Sequence, residues 1–263
     1  MKSIFPTLFV SHGAPTLVMD DGPANQFLKD LGKDIGKPEA ILMISAHWET
    51  AIAMVTGAAK LKTIHDFRGF PKELYEMNYP VSGSTYLVRQ VQQLLHGIGL
   101  ETQVDDSRGL DHGAWVPLSL MYPDADVPVV QLSLQSHLGP AYHFALGRAL
   151  SVLRQQGVLI IGAGSLTHNL RALDPRISAI PPDWVRDFSD WVHTAISQER
   201  ISDLIDYRQQ APDAARNHPS EEHFLPLFAP LGAGGGKGNR IHSSYTYGVL
   251  SMDAYRFDGA IAL

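Results

Sequence analysis

The sequence contains no cysteine among its 263 residues. This absence excludes disulfides, thiolate metal sites and cysteine nucleophiles, so any bound metal must be held by nitrogen and oxygen ligands. No apolar stretch approaches the roughly 20 residues that a membrane-spanning helix needs. The formal net charge is −6 and the Lys and Arg residues form no cluster, which argues against nucleic-acid binding. We therefore expect a cytoplasmic protein that binds neither membranes nor nucleic acids.

Apolar segments typical of strands alternate with segments of helical periodicity. The predicted strands cover 7–10, 40–45, 52–56, 127–134 and 158–164, with a strand or hairpin in 245–257. The predicted helices cover 22–32, 84–99, 141–157 and 182–198. Most of the apolar segments are continuous, as in strands that are covered on both faces. No linker or repeat divides the chain. We predict one α/β domain over residues 1–263, with a central, mostly parallel mixed sheet flanked by helices.

Two motifs of other enzyme classes are matched only in part. Segment 231–239, LGAGGGKGN, is similar to a phosphate-binding loop, but Gly238 follows Lys237 where that motif requires Ser or Thr. We predict a flexible loop there and no nucleotide cofactor. Ser165 follows a predicted strand, but Leu166 replaces the second glycine of the G-x-S-x-G motif of serine hydrolases. A serine hydrolase is therefore not expected.

Five of the 12 histidines stand out by their positions. His12, His47 and His168 follow predicted strands, and ligands of open α/β sheets bind beyond the carboxyl ends of the strands. His112 and His223 stand where polar segments meet apolar ones. Imidazole is the commonest metal ligand and the usual acid or base near neutral pH. Because a metal site needs only three or four protein ligands, the pattern predicts a metal centre with at least one further histidine for proton transfer.

The segments that carry these histidines resemble those of a known family. They are SHGAP (11–15), SAHW (45–48), DHGAWVPL (111–118), GAGSLTHNL (162–170) and EHFLPL (222–227). In this order they are similar to the LigB-type, or class III, extradiol ring-cleaving dioxygenases, and most closely to the subfamily of 4,5-DOPA dioxygenases. The resemblance implies a single catalytic α/β domain, one divalent metal, and an enzyme that opens a catechol ring with O₂ beside the diol.

The resemblance also implies roles for the five histidines. His12 and His47 match the two N-terminal metal ligands, and His168 and His223 match positions associated with the metal site. In the wider family the histidine that matches His168 is the acid/base and the third ligand is a glutamate, so His168 is either a ligand or a proton carrier. His112 matches an active-site histidine that contacts substrate or oxygen. The predicted catalytic residues are thus His112 and His168.

The identity of the metal and the type of reaction allow alternatives. Fe(II) is expected for dioxygenase activity because reaction with O₂ needs a redox-active ion, whereas Zn(II) suits the same imidazole ligands but has no redox chemistry. With zinc, the same histidines predict a hydrolase that activates water. A binding protein that has kept the pocket without its activity is a third reading. The presence of all five histidines favours an enzyme.

The predicted substrate is a small catechol similar to DOPA. Its carboxylate would need a cation, and its amine an anion or carbonyl. The charged residues close to the motifs in sequence are Arg108, Arg171, Arg240 and Asp111. Aromatic side chains able to stack on a catechol ring are Trp48, Trp115 and Tyr245, although each is more typical of a core position.

Overall fold

The computed structural model describes residues 4–260, so the two ends of the predicted 1–263 domain lie outside it. The strands of the described chain are β1 (Thr7–Ser11), β2 (Ala40–Glu49), β3 (Ala53–Thr56), β4 (Thr102–Asp105), β5 (Val129–Leu134), β6 (Val158–Gly164), β7 (Asn239–His242), β8 (Tyr245–Thr246), β9 (Leu250–Ser251) and β10 (Ala254–Phe257). The helices are α1 (Pro23–Ile35), α2 (Lys72–Glu76), α3 (Thr85–His96), α4 (His112–Met121), α5 (Gly139–Leu150), α6 (Asp183–Ser197), α7 (Ile201–Ile205), α8 (Tyr207–Gln210), α9 (Ala214–Asn217) and α10 (Phe228–Ala233).

Eight strands form one mixed sheet in the order β4-β3-β5-β2-β6-β1-β10-β7. The four central strands β5, β2, β6 and β1 run parallel to one another. Antiparallel pairs flank them, β3 with β5 on one side and β1 with β10 on the other. The predicted α/β class with a mostly parallel mixed sheet is confirmed. Because β1, β2 and β6 are parallel, their carboxyl ends lie at one edge of the sheet.

Helices cover both faces of this sheet. In β1, Leu8 and Val10 contribute to one hydrophobic core and Phe9 to the other. The first core is completed by α1 and α4, and the second by α3, α5, α6 and α10. Burial on both faces explains why the central strands are apolar at successive positions. Among the described residues, no helix has the length and apolar character required to cross a membrane.

The sequence-based boundaries agree with the structure where periodicity is strong. The four predicted helices correspond to α1, α3, α5 and α6, although a short 3₁₀ helix (Ser151–Gln156) continues from α5. Segment 245–257 contains the β8–β9 hairpin and then β10. Helix α4 was not predicted. Nine of its ten residues are buried, so its sequence lacks the alternation of polar and apolar faces that identifies a surface helix.

Two local predictions are corrected. His47 lies inside β2 rather than after it, in the stretch between Ile44 and Glu49 where the pairing with β5 is irregular. Segment 231–239 is not a flexible loop: it begins within α10, ends at the first residue of β7, and most of it is buried. A Cβ atom on Gly234 or Gly238 would lie 2.1 or 2.4 Å from the side chain of Phe257, so these glycines allow close packing rather than flexibility.

Candidate metal centre and catalytic cavity

The five histidines of the motifs meet beyond the carboxyl edge of the central strands. His12 directly follows β1, His47 lies in the last part of β2, and His168 follows β6. His112 is the first residue of α4, and His223 stands in the turn before a 3₁₀ helix, Leu225–Leu227. All five line one cavity of about 510 Å³. The convergence predicted from the strand ends is therefore present in the structure.

Three of the histidines form a triangle of nitrogen atoms. One ring nitrogen each from His12, His47 and His223 lies within 4.8 Å of the other two. The Nε2 atoms of His12 and His47 are 3.2 Å apart. The ring centroid of His223 lies 5.3 Å from that of His12 and 4.9 Å from that of His47. This arrangement presents three imidazole nitrogens to one point.

Oxygen atoms behind two of the rings orient the triangle. Nδ1 of His12 lies 2.8 Å from Gly13 O, and Nδ1 of His223 lies 2.9 Å from Glu222 Oε1. Nδ1 of His47 faces Asp66 Oδ2 at 3.7 Å, which is too long for a hydrogen bond. A histidine that donates Nδ1–H to such an acceptor keeps the lone pair of Nε2 for a metal, and this is the usual environment of metal-binding histidines. Asp66 and Glu222 were not singled out from the sequence, because the former lies outside every histidine motif and the latter's role depends on the tertiary structure.

The environment keeps these imidazoles neutral. Burial lowers the pKa of His12 well below 6.5, and the neighbouring His47, His112 and His168 add to the effect. Burial, with His112 nearby, lowers the pKa of His47 to about 4. Burial also holds the pKa of His223 well below its ordinary value. Neutral imidazole is the form that coordinates a metal, so the triangle is ready for an ion at neutral pH.

The residues present fit a divalent metal. The Nε2 atom of His223 is buried and has no hydrogen-bond partner among the described residues. The Nε2 atoms of His12 and His47 are only 3.2 Å apart, so either a proton on one of them or a cation beside both must offset the repulsion of their lone pairs. Three imidazoles with room for further ligands match a catalytic site that keeps a coordination position open. Nitrogen ligands of this kind suit both iron and zinc.

His168 lies beside the triangle rather than within it. Its ring stacks on that of His223, with centroids 3.4 Å apart and planes 9° from parallel. One of its ring nitrogens lies within 4.8 Å of a ring nitrogen of His223 and of a carboxylate oxygen of Glu222, a different group from the one that includes His12 and His47. Burial lowers the pKa of His168 to about 3. His168 thus lies outside the group of His12, His47 and His223 but next to one of its members.

His112 lies next to a carboxylate, whereas His168 is surrounded by other histidines. Its Nδ1 lies 3.0 Å from Asp66 Oδ1, and its backbone N–H donates to the same oxygen at 2.9 Å. Its ring centroid is 3.9 Å from that of His47. Burial alone would raise the pKa of Asp66, but the hydrogen bond and charge of His112 outweigh it and lower that pKa to about 2. Asp66 is therefore ionised and fixes the orientation of His112.

Asp111 positions the helix that begins with His112. Its carboxylate is fully buried and caps α4 by accepting from Ala114 N at 3.2 Å. It also accepts hydrogen bonds from three side chains: Ser45 Oγ at 2.6 Å, Gln131 Nε2 at 2.6 Å and Arg108 at 3.1 Å. These bonds tie α4 to β2 and β5. The carboxylate of Asp111 is thus paired within the protein, with Arg108 as one of its partners, and neither residue lines the cavity as a substrate-binding charge.

The remaining sequence candidates have structural roles or lie elsewhere. Trp48 is buried under the guanidinium of Arg108, and Trp115 is buried with its indole N–H donating to Ile64 O at 3.0 Å. Tyr245 lines a neighbouring cavity of about 360 Å³. Arg240 pairs with buried Asp253 at 3.3 Å. None of these four side chains lines the histidine cavity, which instead offers Phe67 and Phe70 as its aromatic wall.

The serine hydrolase motif is also accounted for. Ser165 is buried, and its hydroxyl donates to the carbonyl oxygen of Thr167 at 2.8 Å. It lies outside the residues that line the cavity. The backbone N–H of Ser165 donates to His223 O at 2.9 Å, so this turn serves to hold the segment of His223 against the end of β6.

Comparison with known proteins agrees with this geometry. The family model described as "Catalytic LigB subunit of aromatic ring-opening dioxygenase" matches residues 6–258. A protein of Beta vulgaris named 4,5-DOPA dioxygenase extradiol is 44% identical over 97% of this chain and 97% of its own length. An Escherichia coli K12 protein of the same name is 37% identical over 88% of this chain and 86% of its own length. A solved structure of an uncharacterized E. coli K12 protein superposes with a TM-score of 0.82 at 32% identity, covering 96% of this chain and 99% of that one.

Proposed function

We propose that this chain, which belongs to the LigB family of aromatic ring-opening dioxygenases, opens a catechol ring beside its diol and incorporates both atoms of O₂. The observation that carries the proposal is the triangle of His12, His47 and His223, in which one ring nitrogen of each lies within 4.8 Å of the other two at the wall of a largely apolar cavity. The relatives named 4,5-DOPA dioxygenase make L-DOPA the first substrate to assay.

In this proposal His12, His47 and His223 hold one divalent metal. Fe(II) is the ion we propose; when bound, it would supply the redox chemistry that reaction with O₂ needs and would lower the pKa of the catechol hydroxyl groups. Glu222 and Gly13 orient two of the rings from behind, through Nδ1 of His223 and Nδ1 of His12. A metal held by these three rings would be accessible to a catechol diol from the cavity that all three line.

Proton transfer in this proposal falls to His112 and His168. They lie beside different ligands of the triangle, His112 next to His47 and His168 against His223. Because Nδ1 of His112 is engaged with Asp66, its Nε2 is the atom free to exchange a proton with the substrate. Burial lowers the pKa of His168 to about 3, so the residue carries no proton near pH 7 before substrate binds. In this proposal the negative charge of a bound catecholate raises that pKa, so that His168 can take up a proton from the second hydroxyl.

The cavity itself supports this chemistry. Phe67 and Phe70 lie at its wall, and the ring of Phe67 meets that of His112 edge to face with centroids 5.7 Å apart. A flat aromatic ring is held against such a wall by stacking and edge contacts. Apolar walls also exclude water from the reacting atoms. When the diol and the proton-transferring residues are held at fixed positions, the reaction becomes effectively unimolecular and its entropic barrier falls.

A zinc-dependent hydrolase remains the second reading of the same nitrogen ligands, but the family membership does not favour it. The two functions differ in their need for oxygen. Ring opening consumes O₂ in equal amount to catechol, whereas metal-assisted hydrolysis proceeds without oxygen. An oxygen electrode with the Fe(II)-loaded protein and a catechol therefore separates them directly.

The proposal is tested by removing one corner of the triangle. In His12→Ala we expect bound iron to fall below about a tenth of the wild-type content, and oxygen uptake with a catechol to fall with it. The matched control is His96→Ala, which removes an exposed histidine of α3 and leaves both quantities unchanged. Wild-type iron content and oxygen uptake in His12→Ala would show that the metal centre lies elsewhere.

A further inference from the structure

A second cavity lies directly beside the histidine cavity. Its volume is about 360 Å³, and the two cavities share the lining residues Gly13, Ala14 and Tyr247. Gly13 follows His12, so this shared wall begins one residue from a corner of the histidine triangle. A ring substituent that leaves the histidine cavity on this side therefore enters the second cavity.

Tyr247 stands at the boundary of the two cavities in a fixed backbone conformation. Its φ of 52° lies in the left-handed region, which is uncommon for a tyrosine. Two backbone hydrogen bonds hold it there: Tyr247 N donates to Ile177 O at 2.9 Å, and Asp174 N donates to Tyr247 O at 3.0 Å. The two cavities thus meet where the tip of the β8–β9 hairpin contacts segment 174–177.

The second cavity has a more polar lining than the histidine cavity. The side chains with oxygen atoms that line it are those of Asp20, Ser178, Ser244, Tyr245, Thr246 and Tyr247. Among its described lining residues Asp20 is the one carboxylate, and there is no lysine, arginine or histidine. A ligand group that reaches this cavity meets hydroxyl groups and a single negative charge.

The carboxylate of Asp20 has no ion pair or side-chain hydrogen bond within residues 4–260. Burial raises the pKa of Asp20, and the neighbouring Asp21 adds to the effect, with no cation to oppose them. A partly buried carboxylate has lost some of its hydration, and an ammonium group offsets that loss through a charge-assisted hydrogen bond. The cavity therefore offers an unpaired acceptor of the kind that binds an amine.

We infer, on the basis of the ring-opening function proposed above, that the second cavity receives the substituent of the catechol ring and that Asp20 binds an ammonium group on it. The substrate class is then catechols whose side chain carries an amine, to which L-DOPA belongs. The diol lies at the histidine triangle, and the substituent extends past Gly13 and Tyr247 toward Asp20. A catechol of the same shape without the amine lacks this contact.

The inference is tested by comparing L-DOPA with 3-(3,4-dihydroxyphenyl)propanoate, which differs from it only in lacking the amine. In Fe(II)-loaded Asp20→Asn we expect kcat/KM for L-DOPA to fall by about tenfold or more, chiefly through KM, while kcat/KM for the propanoate does not fall. The control is Asp21→Asn, because Asp21 is exposed and does not line the cavity. An unchanged value for L-DOPA, or an equal loss for both substrates, would overturn the inference.

A second variant tests the path of the substituent rather than the carboxylate. Ser178 is exposed and lines the second cavity, so Ser178→Lys adds a cation that competes with the ammonium group for Asp20. We expect the ratio of kcat/KM for L-DOPA to that for the propanoate to fall by about tenfold. Ile180→Lys should keep the wild-type ratio, because Ile180 is 83% exposed and lines neither cavity. An unchanged ratio in Ser178→Lys would contradict this path.

These outcomes are distinguishable from a failure of the proposed function. Ring opening of either catechol by the wild-type protein, with O₂ consumed, supports the proposed function whatever the effect of Asp20→Asn. An Asp20→Asn variant that keeps wild-type kinetics with L-DOPA then defeats only the inference about the amine. Failure to open either catechol, with iron bound at the triangle, would defeat the proposed function itself.

Discussion

The two histidines outside the triangle differ in what lies behind them. His112 has an ionised carboxylate, Asp66, against its Nδ1, whereas His168 has the ring of His223 stacked on its face. The contact with Asp66 favours the tautomer of His112 that carries its proton on Nδ1. The stacking on His223 fixes the plane of the His168 ring. Neither residue shares the point toward which the three Nε2 atoms converge. Within the proposed function we therefore assign both residues to proton transfer with a substrate rather than to ligation.

This assignment makes a prediction for His112. In His112→Phe the ring shape is kept and the exchangeable proton is lost, so we expect kcat to fall by about 100-fold or more while the iron content stays within a factor of two of the wild type. Iron analysis and an oxygen electrode measure the two quantities on the same preparation. Loss of iron from His112→Phe would instead make His112 a ligand.

At the level of elements, the edge of the sheet does most of the positioning. The end of β6 holds two segments of the site at once: Gly164 O accepts from His12 N at 3.0 Å, and Ser165 N donates to His223 O at 2.9 Å. A Cβ atom on Gly164 would lie only 2.2 Å from His223 O. Glycine is required here because the turn of His223 lies directly against the strand.

A second prediction concerns this close approach. Gly164→Ala must push the His223 segment away from β6, so we expect its affinity for the metal to fall by about tenfold or more. Gly22→Ala is the control, because no atom lies within 4 Å of the Cβ position of Gly22 and its φ is −73°. Isothermal titration calorimetry with the metal compares the dissociation constants of the two variants. Wild-type affinity in Gly164→Ala would show that the segment is not held in this way.

Some of these elements could be predicted from the sequence and others could not. Continuous apolar strands and amphipathic helices predicted the sheet, four helices and the edge at which His12, His47 and His168 meet, because these patterns follow directly from burial. Helix α4 could not be predicted from hydrophobic periodicity, because a helix buried on all sides has no polar face. Asp66 was hidden as well, because its partners His47 and His112 come from distant segments.

Charge assignments were the least predictable part of the site. Arg108 and Asp111 stand beside the motifs in sequence and were candidates for substrate recognition. In the structure they form an ion pair at 3.1 Å at the N-terminus of α4, where Asp111 is the capping residue. Proximity along the chain could not reveal this, because Ser45 and Gln131, which complete the network, lie on two neighbouring strands.

Over the whole molecule, buried neutral histidines make stability depend on pH. His143 in α5 accepts from Gln135 N at 3.3 Å, and its Nδ1 contacts Gly139 O at 2.7 Å. Burial lowers the pKa of His143 to about 4 from 6.5. Between pH 6.5 and 4 the unfolded chain therefore binds the extra proton, so stability rises with pH across this window and is lost on acidification.

A third prediction follows for the free energy of unfolding. In the wild type, His143 contributes a slope of up to about 1.4 kcal/mol per pH unit between pH 4.5 and 6. His143→Gln should remove this contribution and leave a shallower slope, although its stability at pH 7 is lower. Urea unfolding of metal-free protein at several pH values measures both slopes. A slope in His143→Gln as steep as that of the wild type would contradict a neutral, buried His143. The control is His96→Gln, which replaces an exposed histidine and should keep the wild-type slope.

The central claim concerns a single ion held by imidazoles from three separate segments of the fold. Crystals of the iron-loaded protein, measured at the iron absorption edge, test it most directly through an anomalous difference map. The account predicts one peak, about 2.0–2.2 Å from Nε2 of His12, His47 and His223, with no ligand bond from His112. A peak centred on another group of residues, or no peak from protein that opens catechols, would contradict it.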